Sequence, residues 1–347
     1  MAGATPKLIK ELRERSGAGM LDCKKALNEC DGNIDEAIKY LREAGLSKAA
    51  KKSANVAAEG IITILVNDDN TKATMTEVNS QTDFVAKNEQ FLSLTNGITA
   101  HAQENNINDA EALAASTIEG KDFPTFLNEK IAVIGENLVA RKVTNVEGTV
   151  VNGYVHLGKV GVILAATCDE AAKEKTVDLL KKVAMHAASM KPTVISYKDL
   201  DADFIASENK AIIADIEKLN IELHRLGKPE KNIPEYVSRV QLTEEAIATA
   251  EASMKEELLA QGKPEKIIGN IVKGKIARWI EDNSQLDTAH ALLSQKYVMD
   301  DSMTVEEAIK ACDASIELTS YVRYELGDGI EKKEEDFAAE VAAQMSK

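Results

Sequence analysis

Over the first 45 residues the apolar positions keep helical spacing. Leu8, Ile9 and Leu12 form one stripe, with Thr5 placed as an N-cap and Pro6 at the first helical position, where its missing N–H is not needed. Ser16-Gly17-Ala18-Gly19 interrupts the pattern, and a second helix is predicted over Met20–Glu29. Asp31-Gly32-Asn33 reads as a turn. Asn33 with Glu36 three residues on opens a third helix, which Gly45 is expected to end. A module of three short helices is too small for an enzyme core and reads as a docking unit. The basic, polar residues 48–53 then read as a linker.

Beyond the linker the period falls from near four to two, and the pattern repeats. Glu59-Gly60-Ile-Ile-Thr-Ile-Leu-Val opens one unit, and Glu147-Gly148-Thr-Val-Val opens another 88 residues later. The same offset aligns the predicted strand 73–79 with the strand 161–167. A helix is expected after each, over 83–103 and 174–190, with a further helical stretch over 123–141 in the first unit. Each unit therefore reads strand, turn, strand, helix, which gives an α+β layer of short antiparallel pairs covered by helices.

Residues 200–277 break that pattern. Ile205, Ile212, Ile216, Leu219, Leu223 and Leu226 are spaced 7, 4, 3, 4 and 3 apart, a heptad seam. Ile247, Met254 and Leu258 can supply a facing helix from the same chain. Leu242 before Thr243, with Ile247, makes a hydrophobic staple. Gly227-Lys-Pro229-Glu-Lys recurs as Gly262-Lys-Pro264-Glu-Lys, and both mark helix breaks. The segment reads as an antiparallel helical protrusion. Past Gly329 a terminal helix is expected, with Ile330, Phe337, Val341 and Met345 on one face, suited to docking in a groove.

Composition narrows the function. The 347 residues are 44% hydrophobic but only 4% aromatic, so packing is aliphatic and helix-rich. A net charge of −15 opposes direct binding to nucleic-acid phosphate. No apolar run reaches the length of a membrane span, and the N-terminus carries no signal-peptide pattern. Cys23, Cys30, Cys168 and Cys312 have no CxxC spacing and read as free thiols of a reducing cytoplasm.

The most specific stretch is Ser80-Gln-Thr82-Asp83-Phe84-Val85-Ala-Lys87-Asn88-Glu-Gln-Phe91, an acid and an aromatic at a strand-to-helix corner. From pattern alone Asp83 caps the helix and Phe84 joins a core. Thr82, Asp83, Phe84 and Val85, however, match the TDFV signature of the elongation factor Ts family at every position. Arg13-Glu-Arg-Ser-Gly-Ala-Gly-Met20-Leu21-Asp-Cys-Lys24 is similarly close to that family's N-terminal signature. The resemblance covers nearly the whole chain and departs in residues 200–277, which are longer than the family leads one to expect.

The resemblance implies a guanine nucleotide exchange factor acting on the translation GTPase elongation factor Tu in the cytoplasm. It implies no enzyme, no cofactor and no metal of its own. The implied fold class is α+β: a UBA-like three-helix module (1–54), a duplicated antiparallel-sheet and helix core, a helical coiled-coil insertion (200–277) and a C-terminal helix in a docking module (326–347). The core divides into 55–145 and 146–199 with 278–325. The Thr82–Asp83–Phe84–Val85 segment is implied to disturb the magnesium site of the GTPase. Met20 and Leu21 are implied to form an apolar patch against it, with Arg13 and Lys24 at the rim. His156, in Tyr154-Val155-His156-Leu157-Gly158, and the terminal Phe337 and Val341 complete the implied contacts. The insertion leaves open a homodimer or a two-to-two complex.

Two other readings stand beside this one: a non-catalytic helical scaffold, and a thiol-dependent enzyme using Cys23, Cys30 or Cys168. His186 lies on an apolar helix face and is expected to be structural. Gly269-Asn-Ile-Val-Lys-Gly274-Lys275-Ile276 approaches a P-loop but lacks both the preceding strand and the final hydroxyl.

Overall fold

The computed structural model describes residues 4–331. It divides into two compact units, whose described residues are 4–163 with 322–331, and 164–321. The expected terminal helix, with Phe337 and Val341, lies outside the described residues.

The first unit begins with α1 (Pro6–Ser16), α2 (Met20–Glu29) and α3 (Ile34–Lys52). Their ends follow the sequence chemistry. The Thr5 hydroxyl accepts the Leu8 N–H at 3.3 Å, and Gly17 closes α1 at φ 68°. Asn33 accepts the N–H groups of Asp35 and Glu36 at 3.0 and 3.2 Å. Leu12, Cys23, Ala26, Leu27 and Ala37 form the module's small core. One expectation fails: α3 does not stop at Gly45 but runs on to Lys52, through most of the expected linker. Gly45 serves another purpose. It is buried where α3 meets a later helix, and a Cβ there would come within 2.9 Å of the Ala132 Cβ. Close helix approach, not termination, is what the missing side chain permits.

The core follows as β1 (Glu59–Val66) and β2 (Lys72–Ser80), antiparallel with Glu59 opposite Ser80 and Val66 opposite Ala73. The expected single helix is two: α4 (Asp83–Ala86) and α5 (Glu89–Glu104). Asn88 breaks them by recapping, its side chain accepting the Gln90 N–H at 2.8 Å. Then come α6 (Ala110–Ala114), β3 (Thr117–Ile118), β4 (Lys121–Asp122) and α7 (Phe123–Ile134). Gly135 ends α7 at φ 87°, so residues 139–141, expected as helix, instead begin β5 (Val139–Glu147). β5 pairs antiparallel with β2. Phe91, Leu94, Ile98 and Ala102 of α5 pack with Phe123, Phe126 and Ile131 of α7 on this sheet.

The second hairpin is β6 (Val150–His156) and β7 (Val160–Thr167), followed by α8 (Lys173–Met190). The protrusion comprises α9 (Ala202–Arg225), α10 (Glu244–Ala260) and α11 (Glu265–Asp282). The predicted breaks hold, with Gly227 and Gly262 at φ 64° and 70°. The facing pair differs from the expectation: α10 lies along α11, burying Leu258, Ile268 and Ile276. The α9 seam is buried at Ile205, half-covered from Ile212 to Leu223 and exposed at Leu226. The near P-loop falls inside α11, a continuous helix with no cradle for phosphate. The described residues close with α12 (Gln285–His290), β8 (Lys296–Tyr297), β9 (Asp300–Thr304), α13 (Val305–Cys312) and β10 (Glu317–Glu325).

The duplication is visible in the strand order. One sheet runs β1-β2-β5, the other β6-β7-β10. In each, a hairpin is followed by a helix, and a third strand returns to the outer side of the hairpin's second strand. In the first unit a buried carboxylate, Glu77 on β2, receives Arg141 at 2.9 Å and the Gly327 N–H at 2.9 Å, tying the returning chain to the sheet. Among the described residues no helix is long and apolar enough to cross a membrane.

Candidate functional site

The strand-to-helix corner after β2 is built by capping. Ser80 is buried and its hydroxyl donates to the Thr82 carbonyl at 3.0 Å. Thr82, in extended conformation, caps α4 and accepts the Val85 N–H at 3.4 Å. Thr82, not Asp83, is therefore the cap. Asp83 occupies the first turn, where a negative charge meets the helix N-terminus favourably. It pairs with Lys87 at 2.8 Å. That hydrogen bond, then the lysine charge, hold its carboxyl below the usual range, and Lys159 adds to the effect. Asp83 is thus anionic through neutral pH while half-exposed.

Val85 and Ala86 turn inward against the core of the first unit. With those two anchored and Thr82 fixed at the cap, Phe84 points the other way and is 81% exposed. An aromatic of this size leaves about 2–3 kcal/mol of burial unrealised when it stays in water. The core expectation for Phe84 does not hold in the structure; the exposed one does.

The β6–β7 turn reaches the same strand. Leu157 and Gly158 have φ 51° and 71°, and the Lys159 N–H returns to the His156 carbonyl at 2.9 Å, a type I′ hairpin turn. The Gly158 carbonyl accepts the Ile62 N–H of β1 at 2.8 Å, and a Cβ on Gly158 would meet Ile61 at 2.7 Å. Only glycine allows that approach. α4 packs on β1 as well, so the turn carrying His156 and the corner carrying Phe84 are both seated on one strand. His156 is exposed, with Nδ1 3.0 Å from the Tyr154 hydroxyl. Leu157 is 84% exposed and was missed from sequence. The signal for it was an apolar residue between His and Gly at a hairpin tip.

A second patch lies on the N-terminal module. Cys23, Ala26 and Leu27 face its core, which leaves Met20, Leu21 and Lys24 on the outer face of α2. Met20 and Leu21 are 61% and 82% exposed, and Arg13 of α1 is exposed too. Two of the thiols lie where the thiolate is disfavoured. Burial pushes the Cys23 thiol up, and burial with nearby acids does the same to Cys30, so the thiolate is disfavoured in both. His186 is buried between Gln295, at 3.0 Å from Nε2, and the Val298 N–H, which donates to Nδ1 at 3.2 Å. Burial holds its pKa below the ordinary value. It is a structural histidine. Among the described residues no group of three or more His, Cys, Asp or Glu side chains is arranged to hold a metal ion.

Comparison with known proteins identifies the family. The family model described as elongation factor TS matches residues 81–328, beginning one residue before Thr82. Elongation factor Ts of Aliarcobacter butzleri (strain RM4018) is 66% identical over 348 residues, covering all of both chains. Elongation factor Ts of Sulfurovum sp. (strain NBC37-1) is 52% identical over the full length of both chains. That of Campylobacter hominis is 50% identical across 98% of this chain and 99% of its own. With the family model matching well over half of its length and full-length relatives at these identities, the chain belongs to the elongation factor Ts family of translation elongation factors.

Proposed function

We propose that the protein is a guanine nucleotide exchange factor for elongation factor Tu, working in the cytoplasm without covalent chemistry, cofactor or metal of its own. The observation that carries this reading is Phe84: a large aromatic held out in solvent by a capped corner whose neighbouring residues are anchored inward. A factor of this kind needs only to bind the nucleotide-free GTPase better than the GDP-bound form. By linkage it then weakens GDP binding by the same factor by which GDP weakens its own. Phe84 acts as the wedge, and its burial in the partner realises the apolar energy that the free protein leaves unused. Asp83 offers an anionic acceptor beside it. His156 and Leu157 extend the contact along β1, and Met20, Leu21, Arg13 and Lys24 form a second point of attachment.

The test is release of fluorescent GDP from purified elongation factor Tu, followed by stopped flow, with the protein at substoichiometric concentration. Acceleration at every turnover is expected. A tight complex without faster release would overturn exchange in favour of the scaffold reading.

A further inference from the structure

We infer that Glu136 is a positioning residue for the corner that carries Phe84, a role that rests on the exchange reading above. The Glu136 carboxylate takes both hydrogens that Thr82 offers. The Thr82 N–H donates to Oε2 at 3.0 Å, and its hydroxyl donates to Oε1 at 2.7 Å. The adjacent residues answer in the other direction. The Asn137 N–H donates to Gln81 Oε1 at 2.8 Å, and the buried Asn137 side chain donates to the Asn55 carbonyl at 2.8 Å. Residues 81–82 and 136–137 are thus clipped together by side-chain-to-backbone bonds in both directions. Gly135, at φ 87°, turns the chain out of α7 and into this position.

The clip sets the direction of the Thr82 hydroxyl hydrogen. An ionised carboxylate only accepts, so the Thr82 hydroxyl must donate to it. Its lone pair is then left for the Val85 N–H. Clamping and capping are one hydrogen-bond system with a charged acceptor at its end, the stronger kind of hydrogen bond. α4 has only four residues and no helical stability of its own. The direction of Phe84 therefore depends on the cap, and the cap depends on Glu136, which acts through Thr82.

The test uses the full chain as wild type, Glu136→Ala, Glu136→Gln, Phe84→Ala and the Glu136→Ala/Phe84→Ala double variant. Amide hydrogen exchange over residues 80–88 reads the positioning directly, without reference to the partner. Glu136→Ala is expected to speed exchange there by about tenfold with the melting temperature nearly kept. Glu136→Gln, which retains one acceptor oxygen, recovers part of the protection. Unchanged protection in Glu136→Ala overturns the inference. In GDP release from elongation factor Tu, Glu136→Ala is expected to lower the maximal rate by about tenfold, the scale of a slight misplacement, with the half-saturating concentration nearly unchanged. The double variant should be no slower than Phe84→Ala alone. A further loss of the same size in the Phe84→Ala background also overturns it, since Glu136 would then act by another route. A wild-type protein that fails to accelerate release would refute the exchange reading, while the hydrogen-exchange arm still decides the positioning.

Discussion

At the first corner of the duplicated core, β2 ends at Ser80, and Thr82 two residues on caps α4. At the second, β7 ends at Thr167, and Asp169 two residues on leads through a 3₁₀ turn (Glu170–Ala172) into α8. In both, an acceptor lying just ahead of the third strand takes the corner N–H. Glu136 takes that of Thr82, and Ser315 takes that of Asp169 at 3.1 Å. The offset of 88 residues that aligns the strands, one more than separates Thr82 from Asp169, places Ala172 at the position of Phe84; Ala172 is 1% exposed and Phe84 81%. The second corner is closed by its own side chains: Lys175 pairs with Asp313 at 2.6 Å, and Asp313 accepts from the Ser315 N–H and hydroxyl at 2.9 and 2.7 Å. There the helix continues for 18 residues. At the first corner Asn88 cuts the helix after one turn. A short, separately capped turn can hold a side chain away from the core at little cost to the fold. A corner that feeds a long helix uses the equivalent position for packing.

The largest effect expected from this contrast is that of Phe84→Ala. Exchange should fall by about 30-fold or more, the factor for a 2 kcal/mol aromatic hot spot. Stability should stay within about 0.5 kcal/mol, as for an exposed surface position. Stopped-flow GDP release and thermal melts measure the two, and a large loss of melting temperature would make the corners alike after all. Ala172→Phe is the reciprocal change. Forcing a ring into a filled site should cost about 1–3 kcal/mol in urea unfolding and bring no gain in exchange. A stable variant that carries the introduced ring in solvent would show that sequence at this one position, and not the frame around it, separates the corners.

Ser315→Ala removes the acceptor from the closed corner. Water reaches the exposed Asp169 N–H, so the expected cost is about 0.5–1 kcal/mol with exchange unaltered. Slower GDP release in this variant would tie the second corner to function. The smallest effect is one of pH. The hydrogen bond from Lys175, then that from Ser315, hold the Asp313 carboxyl far below its ordinary range. Its folded pKa lies below the unfolded value of about 3.9, so its contribution is present at neutral pH and is lost as pH falls below about 4. Urea midpoints of wild type and Asp313→Asn should therefore stay apart by a constant amount from about pH 6 to about pH 4.5 and draw together only as pH falls from about 4 to about 2. A difference that is the same throughout that range would exclude the Lys175–Asp313 bond as the source.

Much of this was legible in the residues. Thr5, Asn33 and Gly17 marked helix ends through local chemistry, and the offset between Glu59-Gly60 and Glu147-Gly148 revealed a duplication that the two strand orders repeat. The TDFV segment was found by its signature. Gly45 misled because glycine serves both helix ends and close helix contacts, and only the presence of Ala132 opposite it distinguishes the two. The α9 seam was legible as a seam, but its partner was not, since α10 and α11 each offered an apolar face. Leu157 and Glu136 went unnoticed: one is exposed by a turn of type I′, the other meets Thr82 across 54 residues of chain.

The sequence by itself determined the local elements and the family, because caps, turn glycines, apolar periods and a contiguous signature are written within a few residues of one another. Tertiary structure alone decided which way the signature points. Phe84 and Ala172 sit at equivalent places when the repeat is aligned on its strands, and no propensity separates an exposed ring from a buried methyl. The separation comes from the recapping at Asn88, the inward packing of Val85 and Ala86 and the carboxylate of Glu136. The last two are contacts between residues far apart in the chain, which form only once the core has folded.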